Sequence, residues 1–207
     1  MPKKLKKPDR LTSVKKGLVI CYIGAGKGKT TAAMGVAVRA AGAGMNVFIL
    51  QFIKARVPKE GEKRQGGEWP VSSEIDFFNS LGYNKNTGLI KSEQMGLGFV
   101  GILGDQKERE VHIKEAINGL NRAREIMISG EYEVIILDEI ISALELKLIQ
   151  EQDILDLISS KPEMIHLVMT GHEKFPKIIK ACDLVTEMKM LKHPYYEGIL
   201  AQRGIDY

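Results

Sequence analysis

The sequence predicts a single α/β domain built on a mainly parallel sheet flanked by helices. Three observations carry that reading. Residues 18–52 run as an apolar segment, a glycine-rich turn, a helix-length segment and a second apolar segment, which is a βαβ unit with parallel strands and a right-handed crossover. Beyond residue 106, amphipathic helix-length stretches alternate with short apolar runs, the pattern of a doubly wound sheet. The apolar run at 134–137 is closed by Asp138 and Glu139, and the C-terminal ends of strands are where open α/β sheets bind ligands. A chain of 207 residues fits one domain with a sizeable core of its own.

Each element follows in chain order. LVICYI at 18–23 is a short, wholly apolar strand. After the turn at 24–28, a helix is expected from about Lys29 to Ala43. Ala32, Ala33, Gly35, Val36, Ala37 and Ala40 are small and apolar along it, and Gly42 and Gly44 end it. NVFILQF at 46–52 is the second strand. Residues 53–110 are less regular. Ile75 to Phe78 is expected as a strand among many glycines, and a connection of that length inside a compact domain is read as substrate-facing loops. A helix is expected over 106–128, with Ile113, Ile117, Leu120 and Met127 on its buried face. The rest is a buried strand VIIL (134–137), a helix near 150–159, a strand IHLVMT (165–170), a helix opened by Pro176 and reaching Lys180, and a strand DLVTEM (183–188).

Composition narrows the function classes. The net charge of +4 is unevenly spread: Lys3, Lys4, Lys6, Lys7, Arg10, Lys15 and Lys16 face only Asp9 within residues 1–16. The sequence therefore divides into a basic N-terminal arm, 1–16, and a domain, 17–207, that is net acidic. The arm is read as a solvated end, able to fold over a bound anion or a partner subunit. The body has no stripe of alternating basic and aromatic residues, which argues against nucleic acid as a partner. No apolar run approaches a membrane span, and the basic start has no apolar core behind it, so the expected location is the cytoplasm. Cys21 and Cys182 fall in different predicted elements and are expected as reduced, buried thiols; their spacing suggests no zinc site.

The strongest motif is Gly24-Ala25-Gly26-Lys27-Gly28-Lys29-Thr30-Thr31, set between a predicted strand and a predicted helix. Glycines let successive backbone N–H groups turn inward without a Cβ in the way, and with the helix N-terminus they form an anion cradle. Lys29 can reach phosphate oxygens, Thr30 can ligate Mg²⁺ (or Mn²⁺), and Thr31 can bond a phosphate. Leaving the usual four residues before the Gly28-Lys29 pair lands on Ile23 rather than a glycine, and Gly24 precedes the pair by only three, so the loop is one residue shorter than the general phosphate-binding motif. Asp138 and Glu139 are expected across from Thr30, holding the same metal directly or through water. Lys29, Thr30 and Glu139 are the expected catalytic residues. Arg39, further along the helix, is a candidate helper toward ATP.

The shortened GAGKGKTT loop resembles that of the P-loop-type ATP:corrinoid adenosyltransferases. QFIK at 51–54, Gly98-Phe99, ILDE at 136–139 and the closing run DLVTEMKMLKHPYYEGILAQRGIDY at 183–207 are similar to segments of the same family. Together they cover about residues 17–207. Ala25, Gly101 and His172 stand where the family often carries a polar residue, a tryptophan and an arginine. The resemblance implies a P-loop NTPase-like (RecA-like) strand arrangement and a homodimer. It also implies a reaction in which Co(I) of a corrinoid attacks C5′ of ATP and triphosphate leaves. It further implies that Phe99 contacts the corrinoid, that His193 lies near the nucleotide, and that a flavin-dependent reductase or flavodoxin supplies electrons. Two other readings compete: a nucleotide hydrolase or kinase attacking the γ-phosphate, against which the shortened loop argues, and a RecA-type nucleic-acid-dependent ATPase, against which the acidic body argues.

Overall fold

The computed structural model describes residues 16–55, 73–81, 86–98, 100–101, 105, 107–202 and 204–205. The elements run β1 (Val19–Ile23), α1 (Lys29–Gly42), β2 (Val47–Ala55), α2 (Ser73–Ser80), β3 (Ile90–Gly96), α3 (Arg109–Ser129), β4 (Val134–Asp138), α4 (Ile140–Glu145), α5 (Glu151–Ser159), β5 (His166–Thr170), α6 (Pro176–Ala181) and β6 (Leu184–Glu187). A short 3-10 helix, Pro194–Glu197, follows. The six strands form one sheet in the order β3-β2-β4-β5-β1-β6, and every pairing is parallel. Among the described residues no helix is long and apolar enough to cross a membrane.

Strand order decides where α1 lies. β1 and β2 are separated in the sheet by β5 and β4, so the helix joining them crosses the sheet face over both. α1 buries Ala33, Met34, Ala37, Ala40 and Ala41 against Val47, Ile49, Val134, Ile136 and Val168, and α2 adds Ile75 and Phe78 to the same layer. Alanines let the helix approach closely. The opposite face packs Phe48, Leu50, Ile135, Leu137, Leu167 and Met169 against α3 through α6. β4 is buried at all five positions, which is why it reads as an unbroken apolar run.

Three expectations needed correction. Ile75 to Phe78 lies in helix α2, not in a strand: Ile75 and Phe78 are three apart and share its buried face, a spacing that four residues alone do not separate from a strand. The strand of this region is β3, IKSEQMG, whose polar interior hides it from a search for apolar runs. It sits at the sheet edge, paired with β2, where polar side chains are common. On α3 the buried stripe is His112, Ala116, Gly119, Leu120, Ala123, Ile126 and Met127, while Ile117 is 46% exposed. The helix approaches the sheet too closely for a larger residue at 119, where a Cβ would meet the Phe52 ring at 2.9 Å. The two cysteines also prove to be neighbours: Cys21 in β1 lies beside Cys182 after α6, and Cys182 is only half-buried. The adjacent thiol, with burial, pushes the Cys21 thiol up.

His112 anchors the chain ahead of α3. Its Nε2 lies 2.9 Å from Asp105 Oδ2, with the two side chains 3% and 4% exposed. Asp105 also accepts the amides of Gly101 (2.8 Å) and Lys107 (3.2 Å). Burial pushes the Asp105 carboxyl up, but the two amides and the imidazole outweigh it and hold it below its ordinary value of 3.8. A carboxyl lowered in the folded state stabilises fully above its unfolded value, about 4, and loses that contribution as pH falls through the folded value. Asp105→Asn is therefore expected to flatten the acid limb of the stability–pH curve, read by thermal unfolding from neutral to acidic pH. A limb as steep as the parent's would refute this.

Candidate active site

The loop at 24–28 is built by its packing. Gly24 (φ 110°) donates its N–H to His172 O at 2.9 Å, and Gly26 donates to Met188 O at 2.9 Å. The loop thus hangs from the chain leaving β5 and β6, and those two amides face protein carbonyls rather than the crevice. Gly28 (φ 102°) caps α1. The first N–H groups of α1 have no intrahelical partner, an arrangement that can receive an anion. Lys29 is 6% exposed and folds back over the loop, its Nζ donating to Gly24 O (2.8 Å) and Gly26 O (2.9 Å). Burial draws its ammonium below the ordinary 10.5, and the carboxylates of Glu139, Asp138 and Glu145 pull the other way.

The acidic strand end meets this loop directly. Thr30 Oγ1 donates to Asp138 Oδ1 at 2.9 Å, which joins the helix start to the end of β4 although 108 positions separate them. Thr170 Oγ1, at the end of β5, donates to the same oxygen at 2.8 Å and accepts the Glu139 amide at 2.8 Å. Glu139 caps α4 with φ 64°, an unusual conformation for a side-chain-bearing residue and one that recurs at functional sites. Its carboxylate accepts the Ser142 hydroxyl, which also lies 3.2 Å from His172 Nδ1.

Residues 15–207 match the family described as ATP:corrinoid adenosyltransferase BtuR/CobO/CobP. The chain belongs to that family. A corrinoid adenosyltransferase of Pseudomonas aeruginosa is 30% identical over 192 residues, spanning 93% of this chain and 84% of that protein. One from Sinorhizobium sp is 30% identical over 211 residues, 100% of this chain and 89% of that protein. One from Escherichia coli K12 is 28% identical over 192 residues, with 93% and 86% covered.

The adenosyltransferase fold gathers some of the expected site residues and scatters others. Gly24, Ala25, Gly26, Lys27, Gly28, Lys29, Thr30, Thr31, Asp138 and Glu139 lie at one end of the sheet, around the start of α1. Arg39 does not join them. It is exposed in the last turn of α1, ten residues past Lys29, or roughly 15 Å along a helix that rises about 1.5 Å per residue. His193 is half-buried, and its Nδ1 accepts the Tyr195 amide at 3.1 Å, opening the 3-10 helix. The His172 imidazole turns toward Ser142 and toward Glu145 Oε2 at 3.9 Å, not toward the loop. Phe99, the Lys54 side chain and the arm up to residue 15 lie outside the described residues.

Sequence reasoning did not single out Gln51, Thr170, Ser142 and Gln94, which the structure gathers around Asp138 and Glu139. One signal was available. β2, β4 and β5 each run apolar and then turn polar at Gln51, Asp138 and Thr170, and parallel strands place such residues together at the C-terminal edge.

Proposed function

We propose that the chain transfers the 5′-deoxyadenosyl group of ATP to the cobalt of a corrinoid, with the phosphate loop holding the triphosphate as leaving group. The reading of these residues rests above all on the hydrogen bond from Thr30 to Asp138, which unites the phosphate loop and the acidic strand end in one site. Co(I) is itself the nucleophile: its electron pair forms the Co–C5′ bond, the C5′–O bond breaks, and that bond's electrons leave with triphosphate. No protein base is needed. Catalysis is positioning together with stabilisation of negative charge on the departing oxygens. Lys29 would exchange the carbonyls of Gly24 and Gly26 for phosphate oxygens. Lys27, the amides opening α1 and the Thr31 hydroxyl complete the cradle.

Thr30, Asp138 and Glu139 suit Mg²⁺ or Mn²⁺, since they offer hard oxygen donors. A hydroxyl that gives its proton to Asp138 keeps its lone pairs for a cation. A divalent ion bound there would neutralise part of the triphosphate charge. Phe99 is the candidate contact to the corrinoid, and His193 to the nucleotide, both on family resemblance. The same resemblance supports a flavin-dependent reductase or flavodoxin as electron source and a cytoplasmic setting. Homodimerisation gains support from apolar side chains left in solvent near the C-terminus: Leu191 is 95%, Leu200 79% and Ile205 80% exposed.

The test is anaerobic mixing of protein, MgATP and chemically reduced Co(I) corrinoid. The expected products are a photolabile Co–carbon bond and stoichiometric triphosphate; release of ADP or inorganic phosphate without alkylation would instead favour a hydrolase or kinase. We further propose that the basic arm, 1–16, closes over the corrinoid of a partner subunit. Deleting it is then expected to raise the corrinoid KM and leave the ATP KM unchanged. Equal corrinoid KM values for the two proteins would sink this idea.

A further inference from the structure

A row of polar side chains crosses the sheet at its functional edge. Gln94 of β3 pairs in register with Gln51 of β2, and Gln51 with Asp138 of β4. All three share the α1 face, because they continue the alternation of Ile90, of Val47 and Ile49, and of Val134 and Ile136, which pack beneath that helix. Gln51 is fully buried. Its Nε2 donates to Asp138 Oδ2 at 3.0 Å, and its Oε1 accepts from Gln94 Nε2 at 2.8 Å. Gln51 thus supports one carboxylate oxygen of Asp138 while the Thr30 and Thr170 hydroxyls occupy the other.

The direction of this chain carries the inference. A glutamine amide has a donating end and an accepting end of nearly the same shape. Were the Gln51 amide turned over, its oxygen would face Asp138, and two acceptors would meet in a buried place where unpaired polar groups are expensive. Asp138, which can only accept, holds Nε2 toward itself, and Gln94 supports that orientation by donating to Oε1. We propose that Gln51 is a positioning residue for Asp138, and that Gln94, by donating to the other end of the Gln51 amide, keeps it in that orientation. The relay holds the carboxylate in the orientation that Thr30 and a divalent cation require, and so governs the metal dependence of ATP binding. The proposal rests on the reading of Thr30 and Asp138 as the metal site.

The experiment is titration calorimetry of ATP in the presence of Mg²⁺ and in EDTA, with Mn²⁺ binding to the ATP complex followed by electron paramagnetic resonance. Asp138→Ala, Gln51→Leu, Gln94→Leu and Gln94→Glu are compared with the parent. Partners behind a metal ligand typically contribute about 10–100-fold in metal affinity, so Gln51→Leu is expected to weaken Mn²⁺ binding within that range while leaving ATP affinity in EDTA unchanged. Gln94→Glu is the sharper test. Glutamate keeps the size and polarity of Gln94 but can only accept, so it draws Nε2 of Gln51 away and turns Oε1 toward Asp138. It is expected to weaken metal binding more than Gln94→Leu, the reverse of what a packing or general polarity role predicts.

Gln94 is partly exposed, so its variants test the relay even if Gln51→Leu unfolds. If Asp138→Ala abolishes the metal dependence while Gln94→Glu and Gln51→Leu bind Mn²⁺ like the parent, the relay is overturned and the metal site stands. If Asp138→Ala leaves metal dependence intact, the metal site itself is misassigned and the relay falls with it.

Discussion

Lys29→Ala is expected to lower adenosyl transfer by about 10²–10³-fold, the scale of losing one preorganised donor to a developing negative charge. The fold should survive. Lys29 makes its two hydrogen bonds within its own loop, to Gly24 O and Gly26 O, and contributes nothing to the sheet. A loss of about 1 kcal/mol would shift the melting temperature by only about 2–4 °C in a domain of this size. Lys29→Arg should not rescue activity, because a planar fork replaces a compact ammonium in a slot that leaves Lys29 6% exposed. Initial rates of Co–carbon bond formation, alongside thermal unfolding of the same samples, separate the two effects. Parent-like rates in the alanine variant would remove Lys29 from the reaction.

Gly24→Ala should damage the protein far more than Gly28→Ala, although both glycines have positive φ, 110° and 102°. Each substitution forces a side-chain-bearing residue into a disfavoured backbone region, at a cost of about 1–3 kcal/mol. At Gly28 a Cβ would meet nothing within 4 Å. At Gly24 it would stand 2.4 Å from Met188 O, a backbone atom at the end of β6, and the loop or the strand would have to move. Overpacking of that kind adds about 1–3 kcal/mol. The expected result is a melting temperature for Gly24→Ala lower than that of Gly28→Ala by several degrees, with the loop displaced and ATP affinity lost. Equal melting temperatures would mean that the contact with Met188 yields easily.

Much of this was legible in the chain. Strands buried on both faces are apolar along most of their length, so β1, β2, β4 and β5 declared themselves as apolar runs. The phosphate loop was visible because its chemistry is local: glycines, Lys29 and Thr30 act within one turn of each other. The family could be read for the same reason, from contiguous motifs at both ends of the chain. β3 escaped because an edge strand can be polar, and α2 because two apolar residues three apart fit either period when the segment is short. Arg39 looked close to the loop in sequence, yet a helix carries its eleventh residue away from its first.

The sequence by itself determined the alternation of helices and strands, the phosphate loop and the acidic end of β4, since each depends on residues close together along the chain. Only the tertiary structure decided which strand ends become neighbours. The order β3-β2-β4-β5-β1-β6 sets Gln94, Gln51 and Asp138 in one row, brings Thr170 beside them, and sends α1 over β5 and β4 so that Thr30 reaches Asp138. The physical reason is that a parallel sheet pairs segments joined by long crossovers, so contacts at the site follow strand order and not distance along the chain.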